Sequence, residues 1–234
     1  MYTPEYISGE SVYSWVAQCA QQSPYDSWKQ TNLRLFDKEY VRLHPTLPGH
    51  INKIAKASGT CPEQLLRQGT AYSLFALSLG DPAKAFALQT AMLGQDSGGI
   101  AAISRQTSCK MSLGNRLKFC PSCLLEDEKA YGVTYWHTCH QFQGVTFCAK
   151  HKESLLHIEA GEGGINHQYL LPNLNLSGTD TACVSRQLYL SEFITELHAF
   201  LNRSQHPSAL NELYLEWLDC RNYVTAKGHL RSKQ

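Results

Sequence analysis

Two pairs of metal-ligand residues constrain this chain more than any other feature. Cys120-Pro121-Ser122-Cys123 and Cys148-Ala149-Lys150-His151 share one spacing, two residues between the partners, and 24 residues separate the pairs. Thiolates so spaced can close on one tetrahedral ion while the turn aims backbone N–H groups at the sulfurs. The expectation is a single structural zinc ion held by Cys120, Cys123, Cys148 and His151. Four protein ligands leave no open coordination position, which argues against a zinc-dependent nuclease or hydrolase. A redox Cys-x-x-Cys is disfavoured because no thioredoxin-like strand–helix context surrounds it. His137, Cys139 and His140 lie in the excursion between the pairs. They read as packing around the metal, with His140 a polar tether rather than a substitute ligand. The run Glu126-Asp127-Glu128 reads as a solvated turn.

The other cysteines, Cys19, Cys61, Cys109, Cys139, Cys183 and Cys220, bring the total to nine and have no ligand spacing. An odd, scattered set is not a secreted disulfide framework, so these read as reduced, buried thiols. Met1 to Glu5 shows neither the basic start nor the apolar stretch of a signal peptide. The longest nearly apolar run, Tyr72 to Leu79, is far short of the ~20 residues that span a bilayer. A cytoplasmic protein with no membrane partner is expected.

Helical periodicity dominates the rest. Val12, Trp15, Val16 and Cys19 recur at helical spacing within Glu10–Gln22, with Ser8 or Ser11 available as the cap. A short helix is expected over Thr31–Phe36. Ile51, Ile54 and Ala55 form an apolar stripe, Gly59 ends that helix, and Pro62 opens a second at a position where its missing N–H costs nothing. The order Ala55, Gly59, Leu65 is that of a helix-turn-helix, a motif shared by DNA readers and by two-helix corners with only architectural or protein-contact roles. Tyr72–Leu79 and Asp81-Pro82 to Met92 give two more helices, the latter closed by Gly94. Residues 95–116 read as a Gly/Ser-rich linker, Gln168–Leu171 as a strand, and Ser185–Asn202 and Ser208–Val224 as helices. The fold class is therefore mainly α with a small zinc-finger module of zinc-ribbon type. Residues 1–104 form an N-terminal helical domain with the helix-turn-helix, 105–158 the Cys₃His zinc module, and 159–234 a C-terminal helical segment.

The formal charge of +1 does not by itself point to nucleic acid. Candidate phosphate contacts are Lys53, Lys56 and Arg67 on the helix-turn-helix, and Arg221, Lys227, Arg231 and Lys233 in a tail without acids. That tail reads equally as a phosphate-binding element or a solvated end.

Several of these segments together resemble the TniQ/TnsD family of target-selection proteins from bacterial Tn-type DNA transposons. Glu10-Ser11-Val12-Tyr13-Ser14-Trp15 is similar to the family's opening helix. Leu47-Pro48, the helix-turn-helix and Gly69-Thr70 are similar to its second segment. The fullest likeness runs from Arg116-Leu117-Lys118-Phe119-Cys120-Pro121-Ser122-Cys123 through Gly132, Tyr135-Trp136, His140-Gln141, Val145, Cys148 and His151 to Leu155. No further Cys-x-x-Cys follows His151, which resembles the TnsD branch, and Tyr223–Gln234 is similar to the beginning of a further DNA-binding region. The resemblance implies a bacterial adaptor that is not an enzyme. It would bind target DNA, or a DNA-bound guide-RNA effector complex of the Cascade type found with CRISPR-associated transposons. It would also recruit an AAA+ ATPase of the TnsC type. From the residues alone, a zinc and helix-turn-helix transcription regulator is the alternative.

Overall fold

A computed structural model describes residues 3–24, 27–41, 43–94, 99–100, 102–103, 116–159, 169–173, 185–203, 210–223 and 225. Helix α1 (Val12–Gln21) is the hub. Ser11 caps it by accepting a hydrogen bond from the Ser14 amide at 3.1 Å, an interaction that typically contributes about 1 kcal/mol. The periodic Val12, Trp15, Val16 and Cys19 are all buried, and so are Tyr13, Ser14, Ala17 and Gln18, which the stripe does not include. A helix buried on more than one face has neighbours on more than one side, and here they come from distant parts of the chain.

On one side lie the N-terminal helices. Helix α2 (Trp28–Phe36) is capped by Ser27 and ends at Asp37, so it begins three residues before the expected Thr31. Helices α3 (Ile51–Ser58) and α4 (Pro62–Gln68) form the expected corner. Gly59 takes φ 70°, a conformation that disfavours side chains, and lets the chain turn sharply into Pro62. Ile51, Ile54, Ala55, Leu65 and Leu66 close the corner as one apolar contact. Helices α5 (Tyr72–Leu79) and α6 (Pro82–Leu93) pack against each other. The Asp81 side chain caps α6, accepting from the Ala83 amide at 2.9 Å.

On the other side lies the metal module. Strands β1 (Arg116–Phe119) and β2 (Leu156–Glu159) pair antiparallel, Leu117 opposite Ile158 and Phe119 opposite Leu156. Between them come helix α7 (Pro121–Tyr131) and the single turn α8 (Thr138–Gln141). Three hydrogen bonds fasten this module to the start of α1. The Ser11 amide donates to the Trp136 carbonyl, the Trp136 amide to Ser14 Oγ, and the Thr138 amide to the Gly9 carbonyl, each at 2.9 Å. The Trp136 indole is fully buried and donates to the Leu170 carbonyl at 2.7 Å.

Residues 169–173 are not the expected strand. Tyr169 takes φ 44°, its ring packs on Tyr13, and its hydroxyl donates to Asn32 at 2.6 Å. Helices α9 (Ser185–Leu201) and α10 (Leu210–Cys220) pack on α5. His198 Nε2 reaches the Thr70 carbonyl at 3.1 Å, and Asn202 bonds both Ser73 and the Arg67 carbonyl. Side chains from all three sequence segments thus enter one hydrophobic cluster. Most of residues 95–116, and the onset of the last helix at Ser208, lie outside the described residues.

Candidate metal centre

β1 delivers Cys120 to the N-terminus of α7, where Pro121 occupies the first helical position and Cys123 falls in the first turn. Cys148 and His151 sit on a tight loop closed by two backbone hydrogen bonds of 2.8 Å, Lys152 amide to Cys148 carbonyl and Cys148 amide to Glu153 carbonyl. Lys152 takes φ 59° to complete the turn. The His151 amide points at Cys148 Sγ from 3.4 Å, the knuckle geometry implied by the two-residue spacing.

The four ligand atoms all lie within 4.8 Å of one another. His151 Nδ1 is 3.4 Å from Cys120 Sγ, 3.3 Å from Cys123 Sγ and 3.6 Å from Cys148 Sγ, and the last two sulfurs are 3.7 Å apart. Tetrahedral zinc–thiolate and zinc–imidazole bonds require edges of about 3.7 Å between sulfurs and about 3.5 Å between sulfur and nitrogen. The three sulfur–nitrogen edges and the Cys123–Cys148 edge fit an ion of this size. Three sulfurs so close cannot all ionise without a cation. Hydrogen bonds from Cys120 and then Cys123 hold Cys148 far below the usual thiol range, and the same network pushes the Cys123 thiol far above it. A divalent ion held by Cys120, Cys123, Cys148 and His151 would replace the shared protons and let all three thiolates form. The positive N-terminal end of α7 acts on Cys120 and Cys123 in the same direction.

The surroundings hold the ligands in place. His151 presents Nδ1 to the sulfurs and Nε2 to Glu126 Oε1 at 3.2 Å, and Lys150 in turn pairs with Glu126. A carboxylate behind a ligating imidazole fixes its ring orientation and tautomer. Ser122 donates to Glu153 at 2.8 Å, and that carboxylate lies 3.5 Å from Cys120 Sγ. Lys118 turns its ammonium onto the Phe142 and Val145 carbonyls at 2.7 and 2.6 Å, and burial lowers its pKa to about 8.

Two carboxyl groups are placed differently from what their sequence context suggests. Glu126 and Glu128 are exposed, but Asp127 is buried and bonds His137 Nε2 at 2.7 Å, so the run is a helix with one inward acid rather than a solvated turn. The signal was available: Asp127 is four residues from Cys123 and shares its helical face. Glu10 is fully buried beneath the module and accepts from Gln18 Nε2 at 2.5 Å. Burial raises its carboxyl to about 7.

The basic candidates do not form one surface. Lys53 donates to the Phe36 carbonyl and pairs with Asp37 at 2.8 Å. Lys56 is exposed. Arg67 is only 6% exposed, and two of its guanidinium nitrogens have no hydrogen-bond partner. The outward side of α4 carries Glu63, Gln64 and Gln68. Arg221 pairs with Glu196 and lies 4.5 Å over the Trp217 ring. Lys227, Arg231 and Lys233 lie outside the described residues.

The site and fold together define a mainly helical protein built around a module whose Cys₃His cluster could hold a metal ion. The chain matches the TniQ family over residues 1–155, and it belongs to that family. It is also 24% identical over 152 residues to the transposon Tn7 transposition protein TnsD of Escherichia coli, a match that covers 63% of this chain and 30% of that relative. The chain thus spans less than a third of the length of the curated relative it matches. Among the described residues no helix is long and apolar enough to cross a membrane.

Proposed function

We propose that this protein selects target sites for a Tn-type DNA transposon as a non-catalytic adaptor. One surface engages target DNA, or a guide-RNA effector complex of the Cascade type already on DNA. Another recruits an AAA+ ATPase of the TnsC type. The observation that carries the reading is the family match itself, which runs through residues 1–155 and so includes all four metal ligands. The metal is zinc, because three thiolates and one imidazole in a closed tetrahedron are its preferred donors. Its role is structural. Residues 1–104 are its N-terminal helical domain, 105–158 its zinc-finger module and 159–234 its C-terminal helical segment, and the protein works in the bacterial cytoplasm.

The α3–α4 corner gives little support to the rival reading as an operator-binding regulator. The outward side of α4 offers an acid and two amides, and its arginine is buried. A phosphate-contacting reader needs exposed bases there. The deciding experiment is co-purification with an AAA+ ATPase of the TnsC type, with and without ATP and DNA. A complex that forms with ATP and DNA is expected. No association under any condition, together with symmetric dimeric binding to an operator, sinks the adaptor reading.

A further inference from the structure

His140 approaches the cysteine cluster from the protein interior. It lies on the one-turn helix α8 and is 2% exposed. Its Nε2 is 4.0 Å from Cys123 Sγ, and its ring interacts electrostatically with the neighbouring Cys148 sulfur. Its Nδ1 is buried and has no partner. The ring packs at a tilt on His137, centroids 4.8 Å apart, and His137 in turn stacks on Tyr135 at 4.4 Å and is anchored by Asp127 at 2.7 Å.

The unpartnered Nδ1 decides which form of the ring can occupy this place. An imidazolium would bury an Nδ1–H with nothing to accept it. The Nδ1–H tautomer would do the same and would also aim the Nε2 lone pair at thiolates. Ligation of the metal through Nε2 has the same defect, because the proton must then sit on Nδ1. Buried donors without acceptors are rarer and more costly than buried acceptors without donors. Only the Nε2–H tautomer leaves every buried donor satisfied.

We propose that His140 is an outer-sphere positioning residue of the metal centre, donating Nε2–H to the thiolates of Cys123 and Cys148. This rests on the zinc reading above. A Cys₃His set with a divalent ion carries one excess negative charge, and His140 faces that charge from the buried side. The exposed side is different: there the His151 imidazole meets Glu126, an acceptor. The centre thus has a donor behind its sulfurs and an acceptor behind its imidazole, each matched to the ligand it touches.

The test uses the whole chain loaded with zinc. Long-range ¹H–¹⁵N correlation of the histidine rings should show His140 protonated at Nε2 and bare at Nδ1. A proton on Nδ1 overturns the proposal, whether the ring proves to be a ligand or merely packed. In chelator competition, His140→Phe should weaken apparent zinc affinity 10–100-fold, and His140→Gln, which restores an N–H, should recover most of it. Equal losses in the two variants also overturn it. If His140→Phe fails to fold, the wild-type spectrum still decides. A wild-type chain that takes up no zinc overturns the metal reading itself, whereas a zinc-loaded chain with Nδ1–H overturns only the role of His140.

Discussion

The metal module and the α3–α4 corner are both spacing motifs, yet they differ in what their spacing determines. Cys120, Cys123, Cys148 and His151 are separated by up to 31 residues in sequence, and their ligand atoms converge within 4.8 Å. Their residue types have few uses other than coordination at that distance, so geometry and chemistry are specified together. The corner made by Ala55, Gly59, Pro62 and Leu65 also folds as its spacing implies. What that spacing determines is helix packing. The chemistry of the outer face is left to residues the motif does not name, and these are Glu63, Gln64 and Gln68 beside a buried Arg67.

The sharpest way to break the comparison is to remove a ligand. Cys123→Ser should take bound zinc from about one ion per chain to about none, read by mass spectrometry of the intact protein, because structural zinc supplies much of a small module's folding free energy. Ser11 and Ser14 hold Trp136 against α1, so the damage should extend to the N-terminal helices as a lower midpoint in thermal unfolding. Unchanged helicity and midpoint in this variant would show that segment 105–158 and segment 1–104 fold separately. Limited proteolysis gives a milder version of the same question, with cleavage expected first within residues 95–116 if the segments can part.

A smaller effect should come from Glu10 at the seam between the two regions. Its folded pKa is about 7, against an ordinary value of 4.5. A raised carboxyl pKa means that the folded state holds the proton more tightly. The stabilisation is fully present below pH 4.5, declines between 4.5 and 7, and is lost above 7 as the buried group ionises. Glu10→Gln should therefore match the wild type near pH 4 and exceed it near pH 8, by roughly 3 kcal/mol. Urea titrations at both pH values check this. A difference that does not change with pH would mean that the folded and unfolded states hold the Glu10 proton equally, so that its pKa is not raised by burial.

How far each region was legible follows from the same contrast. Caps and breakers act locally, so Ser11, Gly59, Pro62, Asp81 and Gly94 mark helix ends in the sequence much as they do in the structure. The β1–β2 pairing is not legible. Each strand has four residues, their partners lie 37 or more positions apart, and the metal loop rather than a turn signal brings them together. Helix α7 is obscured because Glu126, Asp127 and Glu128 interrupt its apolar periodicity, although Asp127 bonds His137 inside the fold. Tyr169 escapes for a related reason: an isolated aromatic in a Gly-rich stretch gives no periodic sign that it will close over Tyr13 and Asn32.

The smallest expected effects concern DNA, and they test whether the corner is a reader at all. Arg67→Met should leave DNA binding unchanged and cost little stability, since two buried guanidinium nitrogens lose no partner when they are removed. Lys53 already spends its charge on Asp37, and Arg221 on Glu196. That leaves exposed Lys56 on the corner, and Lys227, Arg231 and Lys233 in the tail. Each phosphate contact contributes about −0.9 to the slope of log affinity against log salt. The triple Ala variant of the tail should therefore flatten the slope by up to about 2.7, and Lys56→Ala by no more than about 0.9. Titrations of a short duplex at several salt concentrations measure both. If Lys56→Ala abolishes binding while the tail variant binds as before, the corner is the DNA reader despite its acidic and amide outer face, and contacts beyond those of α4 must account for it.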